Sequence, residues 1–216
     1  MCGISIAINK SKVNVEPEFI ESMNNAIIHR GPDSEGYYYE NNFAFGHRRL
    51  SIIDLTDAGK QPMERNNLII TYNGEVYNYL ELKKELTDIG YTFSSATDTE
   101  VILAAYKHWD VGCFDKFNGM WALAIYDKAK NTIIFCRDHF GIKPLYYFNS
   151  EKYFLAGSEI KQLCQLEDFI PRLNSKTAIN FLANGILNYS NQTFFQDVLE
   201  VKPGHYLTYN LAENSF

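Results

Sequence analysis

The sequence is poor in cysteine, short of basic charge, and without a long apolar run. Its four cysteines, at positions 2, 113, 136 and 164, stand too far apart for any CxxC or zinc-knuckle spacing. Lysine and arginine number 20 against 26 aspartate and glutamate, leaving a net charge of −6. That balance gives no basic footprint for a nucleic-acid partner. Apolar runs such as residues 121–126 are far too short to cross a bilayer. The opening Met-Cys-Gly-Ile-Ser lacks a basic segment followed by an apolar one, so no secretory leader and a cytoplasmic location are expected. In a reducing compartment the cysteines are expected as thiols.

What is present fits a folded protein. Of the 216 residues, 46% are apolar and 15% aromatic, enough for a sizeable core and one large domain or two small ones. Alternation predicts strands over 3–9, 36–39, 43–48, 68–72, 120–126, 132–137, 145–148 and 153–156. Helical spacing predicts helices over 17–28, 82–89 and 98–109, the last opened by Thr97-Asp98-Thr99-Glu100 with the spacing of a capping box. Residues 127–131 and 149–152 read as hairpin loops, and strands joined this way around a few helices predict an α+β sandwich. From position 171 the character changes to a weak helix over 176–183 and a last strand over 205–209. The chain is therefore expected to divide into residues 1–170 and an extension, 171–216, leading to a domain that is not present.

Cys2 stands apart by position. A thiol attacks only as thiolate and titrates at about pH 8.5, so it needs a base. Loss of Met1 would give Cys2 its own α-amine, titrating at about 7.7–8.0, as base and later as acid for a leaving amine. The bland alternative is a small buried residue at the start of a strand. Tyr72-Asn73-Gly74-Glu75 offers an amide side chain and a backbone N–H without a Cβ, donors suited to an oxyanion, yet Asn-Gly is also a plain turn signal. Arg49 has the fork to grip a carboxylate, and Asp98 with Glu75 the charge to receive an ammonium. Taken alone, Asp98 reads rather as a helix N-cap or first-turn acid, and Arg49 as a surface charge. The histidines read as structural, including His29 and His47 near these motifs, and show no metal-ligand spacing.

Several runs together resemble the glutaminase domain of class II glutamine amidotransferases, most of all that of glutamine-hydrolysing asparagine synthetases. They are Met1-Cys2-Gly3-Ile4, His29-Arg30-Gly31-Pro32-Asp33, His47 through Asp54, Asn73 through Asn78, Asp98 through Val101, Arg137 through Tyr147, and Ser158-Glu159-Ile160-Lys161. The resemblance implies a four-layer αββα sandwich of two mainly antiparallel sheets, the N-terminal nucleophile hydrolase fold. It implies Cys2 as the nucleophile forming a glutamyl thioester, with Asn73 and the Gly74 amide as oxyanion hole. Arg49 would hold the glutamine α-carboxylate, and Leu50, Ser51, Ile52 and Ile53 the adjoining wall. Glu75 and Asp98 would surround the α-amine, and Arg30 and Gly31 fall in a supporting loop. The implied partners are L-glutamine and a covalently linked synthetase domain, with room for a homodimer. No Ser-Gly-Gly-x-Asp-Ser, GxxxxGK[ST] or GxGxxG run occurs in the chain. Accordingly no cofactor is expected here, and ATP and magnesium are expected only in the missing domain. Another ammonia acceptor, or a silent scaffold of the same fold, remains the alternative.

Overall fold

The computed structural model describes residues 1–51, 56–187 and 190–216. Along the chain run β1 (Gly3–Asn9), α1 (Pro17–Asn25), β2 (Ser34–Glu40), β3 (Phe43–Arg49), β4 (Met63–Arg65), β5 (Leu68–Val76), α2 (Tyr79–Asp88) and α3 (Asp98–Trp109). Then follow β6 (Gly119–Asp127), β7 (Thr132–Arg137), β8 (Tyr146–Asn149), β9 (Tyr153–Gly157), α4 (Ile160–Leu163), α5 (Ser175–Asn184), β10 (Val198–Glu200) and β11 (Tyr206–Asn210). Six strands form one sheet in the order β10-β8-β9-β1-β3-β2, and five form a second in the order β11-β7-β6-β5-β4. Neighbouring strands in both are antiparallel.

The sheets stack face to face, with helices outside each. Ile4, Ile6 and Ile8 of β1 and Phe43 and Phe45 of β3 meet Ala122, Ala124 and Phe135 of the other sheet. On the far side of the five-stranded sheet, Trp121, Leu123 and Ile125 pack with Leu82 and Leu86 of α2 and Val101, Ile102 and Ala105 of α3. Beyond the six-stranded sheet, Ala7, Ala44 and Leu155 pack with Ile20 and Met23 of α1 and Leu163 of α4. This is the αββα sandwich, and it explains why residues 121–126 are apolar without alternation. A strand covered on both faces needs apolar side chains in both directions.

Three local departures from the sequence-based expectation follow from tertiary contacts. The helix after Pro17 stops at Asn25, and a 3₁₀ turn over Ile28–Arg30 replaces its last turn. Thr97 does cap α3, its Oγ1 accepting from the Glu100 N–H at 3.3 Å, but Glu100 does not reach back. Its carboxylate instead accepts from the Ser94 and Ser95 amides at 2.7–3.1 Å. β5 runs four residues past Tyr72, carrying Asn73 and Gly74 inside the strand, where they pair with Ala122 and Trp121. A turn at Asn-Gly is overridden by nine residues of register with β6. No helix among the described residues is long and apolar enough to cross a membrane.

Candidate active site

The two sheets are tied at one end of their interface. His47 Nε2 of β3 meets the Tyr72 carbonyl of β5 at 3.0 Å, and Thr71 Oγ1 donates to the Gly46 carbonyl at 3.2 Å. Beside this tie lies a cavity of about 190 Å³ lined by Met1, Cys2, Arg49, Leu50, Gln61, Tyr72, Asn73, Gly74, Glu75, Asp98, Met120 and Lys143, with Gly59, Thr97 and Thr99.

Cys2 enters it at the head of β1. Its Sγ accepts from the Leu50 N–H at 3.3 Å and donates to the Leu50 carbonyl at 3.5 Å. Burial pushes the thiol up from its ordinary titration, opposed by the Leu50 N–H, the chain's terminal charge, Arg49 and Lys143. Arg30 does not line the cavity but stands behind it. Its Nε donates to the Cys2 carbonyl at 2.9 Å and its Nη1 to Glu159 at 2.9 Å, fixing the residue that precedes β1. Gly31 lets that turn lie against β3, because a Cβ there would come within 2.3 Å of the Arg48 carbonyl carbon. Arg30 thus ties the Cys2 backbone, and Gly31 lets the turn that carries Arg30 lie close to β3.

On the opposite wall, strand alternation decides which groups of β5 face the cavity. The Tyr72 N–H donates to Gln61 Oε1 at 2.6 Å and the Val76 N–H to Asp98 Oδ2 at 3.0 Å. Trp121, opposite Gly74, turns its own N–H and carbonyl to Asp138, at 3.2 and 2.9 Å. Gly74 shares the parity of Tyr72 and Val76, so its N–H points to the same open edge, between those two bonded amides. Its missing Cβ answers to β6 as well, since the Met120 carbonyl would sit 2.2 Å away. Asn73, only 1% exposed, carries an Nδ2 that is buried with no acceptor. A buried amide nitrogen left unbonded costs about 1–3 kcal/mol, and Asn73 lines the same cavity as Cys2.

The remaining expected residues divide. Arg49 lines the cavity and is held by an Nη1 bond to the Thr56 carbonyl at 2.9 Å. Asp98 is the first residue of α3, not its cap. Burial raises its carboxyl, against the Val76 N–H and the Tyr72 hydroxyl, the latter at 2.8 Å. Glu75 and Leu50 are half-buried in the lining. Ser51 is not in it; its N–H bonds Asp33 at 2.8 Å. Ile52 and Ile53 lie outside the described residues. His47 is fully buried, with its imidazole pushed down to about 4 chiefly by burial, and is structural as expected. Among the described residues no cluster of three or more His, Cys, Asp or Glu is placed to hold a metal.

Gln61, Tyr72, Met120 and Lys143 were not foreseen in the lining. Lys143 sits in the Arg137–Tyr147 run, whose use becomes visible only in three dimensions. Asp138 accepts from the amides of Phe140, Ile142 and Lys143 at 2.9–3.1 Å, and Arg137 donates to the carbonyls of Gly141 and Lys143 at 2.8 and 2.9 Å. The two charged residues wind the loop into one shape and aim Lys143 at the cavity.

The family described as a glutamine amidotransferase domain matches residues 1–216. Glutamine-hydrolyzing asparagine synthetase 1 of Bacillus subtilis (strain 168) is 45% identical over 170 residues, covering 76% of this chain and 26% of the relative. Glutamine-hydrolyzing asparagine synthetase 3 of the same organism is 34% identical over 215 residues, covering 97% of this chain and 35% of the relative. The chain therefore spans only about a quarter to a third of these relatives' length. A solved glutamine phosphoribosylpyrophosphate amidotransferase from B. subtilis, complexed with ADP and GMP, overlays with a TM-score of 0.70 at 19% identity. That overlay covers 97% of this chain and 47% of the other, a likeness of fold.

Proposed function

Since the chain belongs to the glutamine amidotransferase domain family, we propose that it splits the side-chain amide of L-glutamine into glutamate and ammonia. In a longer form of the protein the ammonia would serve an ATP- and magnesium-dependent domain that converts aspartate to asparagine. On this reading residues 1–170 carry the glutaminase site, and 171–216, which complete both sheets, lead toward that domain, in the cytoplasm, where the four free thiols are at home.

Met1 lines the cavity, and its peptide bond blocks the Cys2 nitrogen. Its removal clears that wall and frees an amine on the same residue as the thiol. The amine takes the thiol proton, and the sulfur attacks the glutamine side-chain carbonyl carbon. The oxyanion forms between the Asn73 amide and the Gly74 N–H. The carbon–nitrogen bond then breaks, the amine's proton passes to the departing nitrogen, and water hydrolyses the thioester. Arg49 is suited to the substrate α-carboxylate, with Leu50 beside it, and Asp98 with Glu75 to the α-ammonium.

The observation that supports this best is the buried, acceptor-less Nδ2 of Asn73, a residue lining the same cavity as Cys2. In a resting protein that donor is a loss; in a reaction that develops an oxygen anion it is a gain. Intact mass before and after a diazoketone analogue of glutamine tests the reading. Loss of Met1 and a single adduct on residue 2, with glutaminase turnover abolished, is expected. Turnover that survives with Cys2 unmodified would remove the thiol from the mechanism.

A further inference from the structure

Lys143 is 5% exposed and lines the Cys2 cavity, yet among the described residues its ammonium makes no hydrogen bond and no ion pair. Burial opposes the charge on this ammonium and Arg30 adds to that, while Glu75, the Cys2 sulfur and Asp138 favour it. The Lys143 N–H and carbonyl are both clamped, by Asp138 and Arg137, at 2.9 Å each. A second clamp holds Arg137, whose Nη1 donates to Glu200 at 2.7 Å and to the Val201 carbonyl at 2.8 Å. The sequence thus spends two buried charged side chains on presenting a third to the cavity.

We infer that the partner of the Lys143 ammonium is the Cys2 sulfur in its anionic form, so that Lys143 is a positioning residue that holds the nucleophile as thiolate before substrate arrives. This rests on the reading of Cys2 as nucleophile and adds a second source of activation to the terminal amine. The need for it is local. Burial and the absence of bulk water oppose a thiolate at Cys2. The single N–H of Leu50 is the hydrogen bond the sulfur receives.

Other charges face the sulfur and set the background. From the strand ends come the chain's amino terminus and Arg49, both favouring the anion. Glu75 and Tyr72 of β5 and Asp98 of α3 stand across the cavity, and the two carboxylates disfavour the anion, while Arg30 lies behind the Cys2 carbonyl. Arg49 is already engaged by the Thr56 carbonyl and, on the proposed function, is taken by the substrate carboxylate. Lys143 is the side-chain cation left for the sulfur beside the terminal amine. When the thioester forms and the sulfur is no longer charged, the ammonium loses its partner. It regains an anion when hydrolysis leaves the γ-carboxylate of glutamate there.

The test is the pH dependence of Cys2 alkylation by iodoacetamide, a neutral reagent, read at residue 2 by peptide mass on Met1-free protein of the full chain. In Lys143→Met the alkylation profile should move to higher pH, with the rate at pH 7 falling roughly tenfold. Lys143→Arg, which keeps a cation on the same clamped backbone, should retain a profile close to the parent's and carries the test if the methionine variant fails to fold. A profile unchanged in the methionine variant, or shifted equally in the arginine variant, overturns the role of Lys143 while leaving Cys2 as nucleophile. A Cys2 that reacts at no pH with either reagent or substrate analogue would instead overturn the proposed function on which the inference rests.

Discussion

At the residue scale the cavity separates groups that bind from groups that wait. Arg49, Asp98 and Tyr72 are already engaged by protein partners, the aspartate by the Tyr72 hydroxyl and the Val76 amide, so they present fixed charges and dipoles. Asn73 Nδ2 is unengaged, and preorganised donors of this kind are worth most where charge develops during reaction. Asn73→Ala should therefore lower glutaminase kcat by roughly 10²–10³-fold and leave KM nearly unchanged. Steady-state kinetics on the parent and variant decide it. A rise in KM at constant kcat would assign the amide to substrate binding instead, and the oxyanion role would go to the Gly74 N–H alone.

At the scale of elements, much was legible because the relevant signal was local. β1, α3 and β7 lie where alternation, cap and helical spacing put them, at 3–9, 98–109 and 132–137. β5 was read four residues short, since Asn-Gly speaks for a turn until β6 is known to pair alongside it. β10 has only three residues, and nothing in Val-Leu-Glu announces a strand before β8 is there to receive it. The site shows the same division. Cys2, Arg49, Asn73 and Asp98 sit in readable motifs, whereas the cavity position of Lys143 depends on a loop wound by Asp138, and that of Gln61 on its bond to the Tyr72 amide. His47 is buried in the tie between the sheets, and its element-level consequence can be measured. It joins β3 to β5 as a neutral ring, pushed down to about 4 chiefly by burial. The unfolded chain takes up that proton at about pH 6.5. Between these two values the unfolded state binds more protons than the folded one, so stability falls as the pH drops from about 6.5 to 4. His47→Gln, which keeps a donor for the Tyr72 carbonyl, should remove up to about 1.4 kcal/mol per pH unit from that slope. Urea midpoints across pH 4–7 are the measurement, and an undiminished slope would mean that other groups carry it.

At the scale of the whole molecule the two ends of the chain meet in the layer between the sheets. Ile4, Ile6 and Ile8 of β1 share that layer with Tyr209 and Leu211, and Phe154 meets Tyr209 at a tilt and Phe216 edge-on, with ring centroids 4.9 and 5.4 Å away. β10 and β11 extend one sheet each, so residues after 170 are bound into both. Glu200 also holds Arg137, and through it the loop that carries Lys143 to the cavity. The C-terminal segment therefore bears on core and site together. Val198, Val201, Tyr209 and Leu211 are each at most 4% exposed. Burying such side chains is worth about 1.5–3 kcal/mol apiece, and four of them rival the roughly 5–15 kcal/mol that keeps a domain folded. A chain ending at residue 170 should consequently lose its cooperative thermal transition by circular dichroism and, with it, alkylation of Cys2 by the glutamine analogue. If it instead melts cooperatively within a few degrees of the parent, the outer strands contribute little. If it melts normally but no longer reacts, the Glu200–Arg137 tie is the part of the segment that the site needs, and Glu200→Gln in the full chain should reproduce the defect.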